Sequence, residues 1–261
     1  MTEVTITRIG GPTALIEFDG WRLLTDPTFD PPGERWHFGW GAMSRKLTGP
    51  AIDPGAIGSI DAVLLSHDHH GDNLDHAGRD VLAQSDTIVT PAPGAKRLGA
   101  GTIGLKPWET TELSTPGRPS IRITATPARH GPPGSRPIAG AVIGFGLSWT
   151  GQSDGALWIS GDTVLFDGVR EVARRVKVSA ALIHLGGVRF PVTGPLRYTM
   201  DAKEAVEACR LIDPRTIVPL HYEGWKHFRQ PAEQAQRIFA SSPIGPRVQW
   251  LEPGAPAKIT V

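Results

Sequence analysis

The sequence predicts an α/β fold in which helices cover mixed β-sheets. Three observations carry that reading. Short apolar runs separated by turn residues fill the first half of the chain, and after about residue 156 such runs alternate with amphipathic helical segments. The 31 Gly and 24 Pro among 261 residues punctuate the text often enough to keep most connections short.

Val4, Ile6 and the pair Leu15-Ile16 mark the first strands, with Phe18-Asp19-Gly20-Trp21 as a tight hairpin turn. The return strand, Trp21 to Thr25, ends at Asp26-Pro27. From Pro27 to about Ser59 the periodicity is lost among Pro, Gly and aromatic residues (Phe29, Trp36, His37, Phe38, Trp40), which suits a lid or binding loop. Ala62 to Leu65 is a continuous apolar run, as expected of a strand buried on both faces. A helix from Asn73 to about Ala83 and a strand from Thr87 to Thr90 follow. Strands are then predicted at Ile121–Thr126, Ala141–Phe145, Ala156–Ser160, Ala180–Ile183, Thr216–Leu220 and Val248–Leu251. Helices are predicted at Gly168–Lys177, Thr199–Leu211 and Pro231–Phe239. The second has the clearest signature: Asp201 and Glu204 form a capping box ahead of the stripe Ala202, Ala205, Val206 and Cys209. No linker divides the text, so one domain is expected over residues 1–261.

Lys and Arg total 27 against 26 Asp and Glu, so the charge balance gives no support for nucleic acid binding. The single cysteine, Cys209, has no internal disulfide partner and sits on an apolar helical stripe, where it reads as core packing. No run of about 18 apolar residues is present, and the N-terminus alternates polar and apolar residues without a signal-peptide core, so a cytoplasmic chain acting on a small molecule is expected.

The chemistry lies at strand ends. His67, Asp162 and His221 come within two residues of buried apolar runs, and His130 follows four residues after one. Strand ends on one edge of an α/β fold converge, so loops there pool side chains from distant positions. Neutral imidazoles and a carboxylate collected in this way suit zinc. Three histidines within four residues, beside two aspartates, would be costly to desolvate without a metal or hydrogen-bond partners.

Ser66-His67-Asp68-His69-His70-Gly71-Asp72-Asn73-Leu74-Asp75 resembles the metal motif of the metallo-β-lactamase superfamily, as do Ala128-Arg129-His130, Ser160-Gly161-Asp162-Thr163 and Pro219-Leu220-His221 in the same order. Leu24-Thr25-Asp26-Pro27, Leu185-Gly186-Gly187 and Thr199-Met200-Asp201 resemble the branch that contains ascorbate-phosphate lactonase. The resemblance implies a four-layer αββα sandwich of two mixed sheets flanked by helices. The chain departs from the family's His-x-His-x-Asp-His pattern: one residue is inserted before Asp72, and Asn73 stands where the last histidine belongs.

The resemblance implies that His67, His130 and either His69 or His70 hold a first metal, and that Asp72, Asp162 and His221 hold a second, with Asp162 bridging. The second set is harder than usual and would accept manganese or iron as well as zinc; one ion or two remain open. A water between the ions would supply hydroxide for attack on a small ester-like substrate, a lactone by branch resemblance. Asp72, if not a ligand, could orient that water. Asp68 and Asp75 are expected behind the histidines, Asp26 as a prop for the first hairpin, His184 beside the site, His227 approaching from the last loop, and His76 on a helix surface. Trp36 and Trp40 offer aromatic surface to a substrate, or pin their loop to the body; Arg189, Arg197 and Tyr198 could clamp an anion. A phosphodiesterase, an iron-dependent redox protein and a non-catalytic metal-binding protein are the alternatives on the same scaffold.

Overall fold

Asp19 and Gly20 turn the first hairpin with positive φ at both central positions (44° and 83°), the geometry whose twist matches a two-residue β-hairpin. It joins β2 (Thr13–Phe18) to β3 (Trp21–Thr25), with β1 (Glu3–Gly10) on the other side of β2. The chain is seen here in a computed structural model that describes residues 2–152 and 154–261.

Within residues 27–59 the described structure holds only a short hairpin, β4 (Arg35–His37) and β5 (Met43–Arg45), and one 3-10 turn. β6 (Ala62–Leu64), β7 (Thr87–Pro91) and β8 (Thr102–Leu105) then add to β3 as parallel neighbours. The second sheet runs in spatial order from β9 (Thr110–Leu113) through β10 (Ile121–Pro127), β11 (Ile143–Trp149), β12 (Ala156–Ile159) and β13 (Val178–His184) to β14 (Thr216–Leu220). β15 (Pro256–Thr260) returns to pair with β1, completing a seven-stranded sheet against a six-stranded one.

Two differences from the expected strands have physical causes. Val248–Leu251 makes only an isolated bridge, Ile217 to Val248, and the closing strand is β15. β15 is an edge strand that opens on Pro256 and buries little besides Ile259, so its text carries almost no apolar pattern. The Ala141–Phe145 run begins its strand later, at Ile143, because Gly140 and Ala141 still belong to the turn after a short helix.

The helices α1 (His76–Leu82), α2 (Ala92–Leu98), α3 (Arg136–Ala139), α4 (Asp167–Arg175), α5 (Ala202–Ile212) and α6 (Ala232–Ala240) complete the element list. Side chains from the inner faces of both sheets, among them Ile16, Leu23, Leu64, Phe145, Leu182 and Val218, share one core. Val169, Val172, Ala205, Cys209 and Phe239 of α4 to α6 pack on the outer face of the second sheet. Val81 and Leu82 of α1 pack with Val63, Leu65 and Ile88 on the outer face of the first. The result is the four-layer αββα sandwich. The capping box is formed: Asp201 accepts from the amides of Lys203 and Glu204, and Glu204 reaches back to the Asp201 amide. Cys209 is buried, and burial pushes its thiol up to about 12, which removes it as a nucleophile at neutral pH.

Strand direction positions the site. β12, β13 and β14 are mutually parallel, and β10 is antiparallel to β11, which is antiparallel to β12. All four therefore end on one edge, and they deliver His130, Asp162, His184 and His221 there. β6 of the facing sheet delivers the cluster that starts at His67. No helix among the described residues is long and apolar enough to cross a membrane.

Candidate metal centre

The histidine loop leaves β6 under the control of Asp26. The Ser66 amide donates to Asp26 Oδ1 at 2.6 Å, so the end of the first hairpin fixes the first residue of the loop, as expected of a prop. Burial, reinforced by nearby Asp162, pushes the Asp26 carboxyl up to about 8.

His67, His70 and His130 converge, each at most 6% exposed. His67 Nε2 lies 3.3 Å and His130 Nε2 3.1 Å from His70 Nδ1. His130 Nδ1 sits 2.8 Å from the Tyr198 carbonyl, which only accepts, so this nitrogen carries the proton and Nε2 turns a lone pair to the centre. His67 Nδ1 is likewise engaged, 3.0 Å from Ser66 Oγ. Burial drives the His67 pKa well below its ordinary value and takes that of His70 to about 3, with the neighbouring imidazoles adding to the effect. Neutral nitrogens aimed at a common point are what a divalent cation requires.

Asp162 stands between this trio and a second group. Its Oδ1 takes His221 Nδ1 at 2.7 Å and His184 Nδ1 at 3.0 Å, and its Oδ2, 3.9 Å from His130 Nε2, is buried without a partner. His221 Nε2 has no hydrogen-bond partner and points towards Asp72 Oδ2 at 3.6 Å. Asp72 Oδ2 also lies 2.9 Å from His227 Nε2. Burial opposes ionisation of Asp72 and Asp162, yet His221, with His227 at Asp72 and His184 at Asp162, holds both carboxyls well below the usual range. Burial also opposes a charge on His221, but Asp162 first and Asp72 after it raise its pKa to about 10. Burial lowers His184 and His227. As side chains alone, the group sets two carboxylates against one imidazolium and leaves Asp162 Oδ2, Asp72 Oδ1, His221 Nε2 and His227 Nδ1 unsatisfied. Orphaned buried carboxylate oxygens on Asp162 and Asp72 beside a residual negative charge fit a bound cation, for which His221 would give up its Nε2 proton.

His70, not His69, completes the trio. His69 is exposed at the rim; its ring packs where a Cβ on Gly140 would fall within 2.2 Å, and its Nδ1 lies 3.3 Å from Asp68 Oδ1. Asp68 is engaged by Arg97 in a two-pronged pair (2.7 and 2.6 Å), so it does not support the buried histidines. Asp75 is also elsewhere: it caps α1 through the Gly78 amide, accepts from Phe29 and Asp30, and pairs with buried Lys46 at 2.8 Å. Asn73 is fully buried, and its Nδ2 contacts Ser66 Oγ at 3.4 Å.

The mouth of the centre is aromatic. A narrow cavity bounded by Phe38, Trp40, Ile138, Phe190 and Tyr198 opens onto His70 and His130. Tyr198 is thus at the site, although its carbonyl rather than an anion clamp is what reaches His130. Trp40 is 71% exposed at the lip. Trp36 lies outside the mouth, where it packs on Gly71 so closely that a Cβ there would meet its ring at 2.3 Å, and its ring lies tilted by 30° against that of His76. Of the two arginines expected as clamps, Arg197 is tied to Asp201 and Glu204, and Arg189 is exposed and does not line the mouth. Sequence reasoning missed Phe38 and Phe190 as mouth residues; Phe38 was legible only as one aromatic in a crowded loop.

The chain matches the β-lactamase superfamily domain over residues 21–222. It is 31% identical over 230 residues to a UPF0173 metal-dependent hydrolase of Opitutus terrae, covering 84% of this chain and 85% of that protein. It is 26% identical over 247 residues to a UPF0173 metal-dependent hydrolase of Caldivirga maquilingensis, covering 92% and 91%. Among solved structures, the isothiocyanate hydrolase from Delia radicum gut bacteria superposes with a TM-score of 0.81 at 18% identity, covering 97% of this chain and 98% of that one.

Proposed function

The chain belongs to the β-lactamase superfamily and is a metal-dependent hydrolase, and from that premise we propose that it cleaves a small, neutral, largely apolar ester-like substrate, a lactone among them, at a two-ion centre. His67, His70, His130 and Asp162 would hold the first ion. Asp162, Asp72 and His221 would hold the second, with His227 supplying the imidazole that Asn73 does not. That substitution makes the second set less carboxylate-rich than the sequence motif implies, so zinc suits both halves, with manganese or iron able to enter the second. Divalent ions held by these residues would lower the pKa of a bound water to near neutrality and polarise the carbonyl to be attacked.

The protein's own residues do the rest. His184 and His221 fix the Asp162 carboxylate through one oxygen and leave the other free. The Tyr198 carbonyl sets the tautomer of His130, and the Ser66 hydroxyl holds the His67 ring in place. Phe38, Phe190 and Tyr198 exclude water and grip the apolar part of the substrate. Hydrolysis breaks the acyl C–O bond; the acid leaves as carboxylate, and the proton goes to the departing alkoxide.

One observation carries the substrate class: no Lys or Arg lines the mouth among the described residues. An anionic phosphodiester entering it would find no cationic side chain and would depend on the ions alone to compensate its charge, whereas a neutral apolar ester gives up little hydration. An apolar lactone, phenyl acetate, benzyl isothiocyanate and bis-(p-nitrophenyl) phosphate, assayed with metal-loaded enzyme, test the reading. A neutral ester or lactone should exceed the phosphodiester in kcat/KM by about 100-fold or more. The phosphodiester as the best substrate would refute it.

A further inference from the structure

Beside the metal centre lies a larger cavity of about 290 Å³, which shares His130 with it but is lined by none of the other residues assigned to the ions. Its walls are apolar, with Pro91, Pro93, Leu105, Pro107, Val142 and Ile143. Three cations, Lys106, Arg129 and Arg136, also line it. Lys106 faces Glu109 loosely at 3.6 Å, whereas Arg129 and Arg136 have no carboxylate partner among the described residues. The Arg129 guanidinium lies over the Phe166 ring, and its buried Nε has no hydrogen-bond partner. Such a group is costly to leave unsatisfied beside an apolar wall. His130 and the segment after it serve both spaces: His130 lines each, Pro132, Ser135 and Arg136 line this cavity, and Ile138 and Ala139 line the mouth.

We propose that this cavity is a second ligand site, for a small carboxylic acid with an apolar body, which adjoins the metal centre at His130 and holds its ligand through Arg129 and Arg136, not through the ions. The volume is at the lower end of that of small-molecule pockets. Apolar walls take the body, while Arg129 and Arg136 pair with the carboxylate, Arg through its planar fork. A ligand held there needs no metal ion and touches the segment that shapes the substrate mouth.

Calorimetric titration of the metal-loaded protein with benzoate tests this, with benzyl alcohol and inorganic phosphate as controls for the apolar body and the charge. Benzoate should bind saturably at one site and more tightly than either control. Arg136→Ala, at an exposed position, should fold normally and weaken benzoate by about tenfold or more, the loss expected for one charge-assisted bond. Phe190→Ala, in the substrate mouth, should leave benzoate affinity unchanged. The proposal is overturned if benzoate does not saturate, if Arg136→Ala titrates like the parent protein, as it would were the acid bound to the metal ions, or if either control binds as tightly.

Discussion

His227 Nε2 lies 2.9 Å from Asp72 Oδ2, both groups 2% exposed, although 155 residues separate them. The contact brings an imidazole to Asp72, the residue next to Asn73 in the motif. It links the loop after β14 to the loop after β6, and so couples the two sheets at the metal centre.

If His227 is a ligand, His227→Ala should lower the bound metal from two equivalents towards one. Elemental analysis of protein purified without chelators measures this. The remaining second-ion affinity should drop at least tenfold, the low end of what supporting groups contribute. Unchanged stoichiometry would leave His227 as a hydrogen-bond partner of Asp72 only.

On the proposed two-ion arrangement Asp162 would serve both halves, so its loss should be more severe. Asp162→Ala should cost on the order of 10³-fold in kcat/KM or more, because the charge stabilisation it organises is worth several kcal/mol. Steady-state kinetics with the best neutral ester and a metal count on the same sample check it together.

Protons and metal should compete unequally. His67 and His70 are neutral at pH 7, so loading the first half releases little; His221, raised to about 10, is charged in the metal-free protein and must give up its proton to bind. Calorimetry at pH 7 in buffers of different ionisation enthalpy should show about one proton released per chain from His221 on full loading, plus the fraction from the bound water that ionises near neutrality. Second-ion affinity should rise with pH towards 10.

The same shifts set the stability of the metal-free protein. His221, raised from 6.5 to about 10, and Asp26, raised from 3.8 to about 8, both favour the protonated folded state. The stability they add is complete below their unfolded pKa values and is lost as pH climbs through the folded ones. His67 and His70 act oppositely: their lowered values make the fold less stable below about pH 6.5. Thermal melts of metal-free protein should therefore peak near neutrality and decline towards pH 10, and the decline should flatten once metal is bound.

Phe38 and Trp40 occupy one loop with opposite exposure, 5% and 71%. Phe38→Ala should destabilise by about 3–5 kcal/mol, the usual range for a buried aromatic. Trp40→Ala should leave Tm within a degree or two and raise KM for apolar esters with little change in kcat. Denaturant unfolding and kinetics on the pair distinguish a packing role from a substrate contact.

Much of the architecture was legible because it rests on local patterns. Ala62–Leu65, Ala180–Ile183 and Thr216–Leu220 are apolar without alternation since both faces of their sheets are covered, and each ends at a residue of the site. β15 was missed because an edge strand with one buried side chain writes almost no pattern.

The sequence by itself determined the layered fold, the strand ends that meet, and four of the side chains at the centre, because strand direction and burial are encoded in short apolar runs. Only the tertiary structure decided between His69 and His70: the inserted residue turns one ring out against Gly140 and the other in against Phe38, and that choice depends on chain segments about 70 residues downstream and 30 upstream. It also decided that Arg197 is consumed by Asp201 and Glu204, that Trp36 covers Gly71, and that His227 reaches Asp72. Those are contacts between loops, whose paths are set by the elements they join and not by any periodicity of their own.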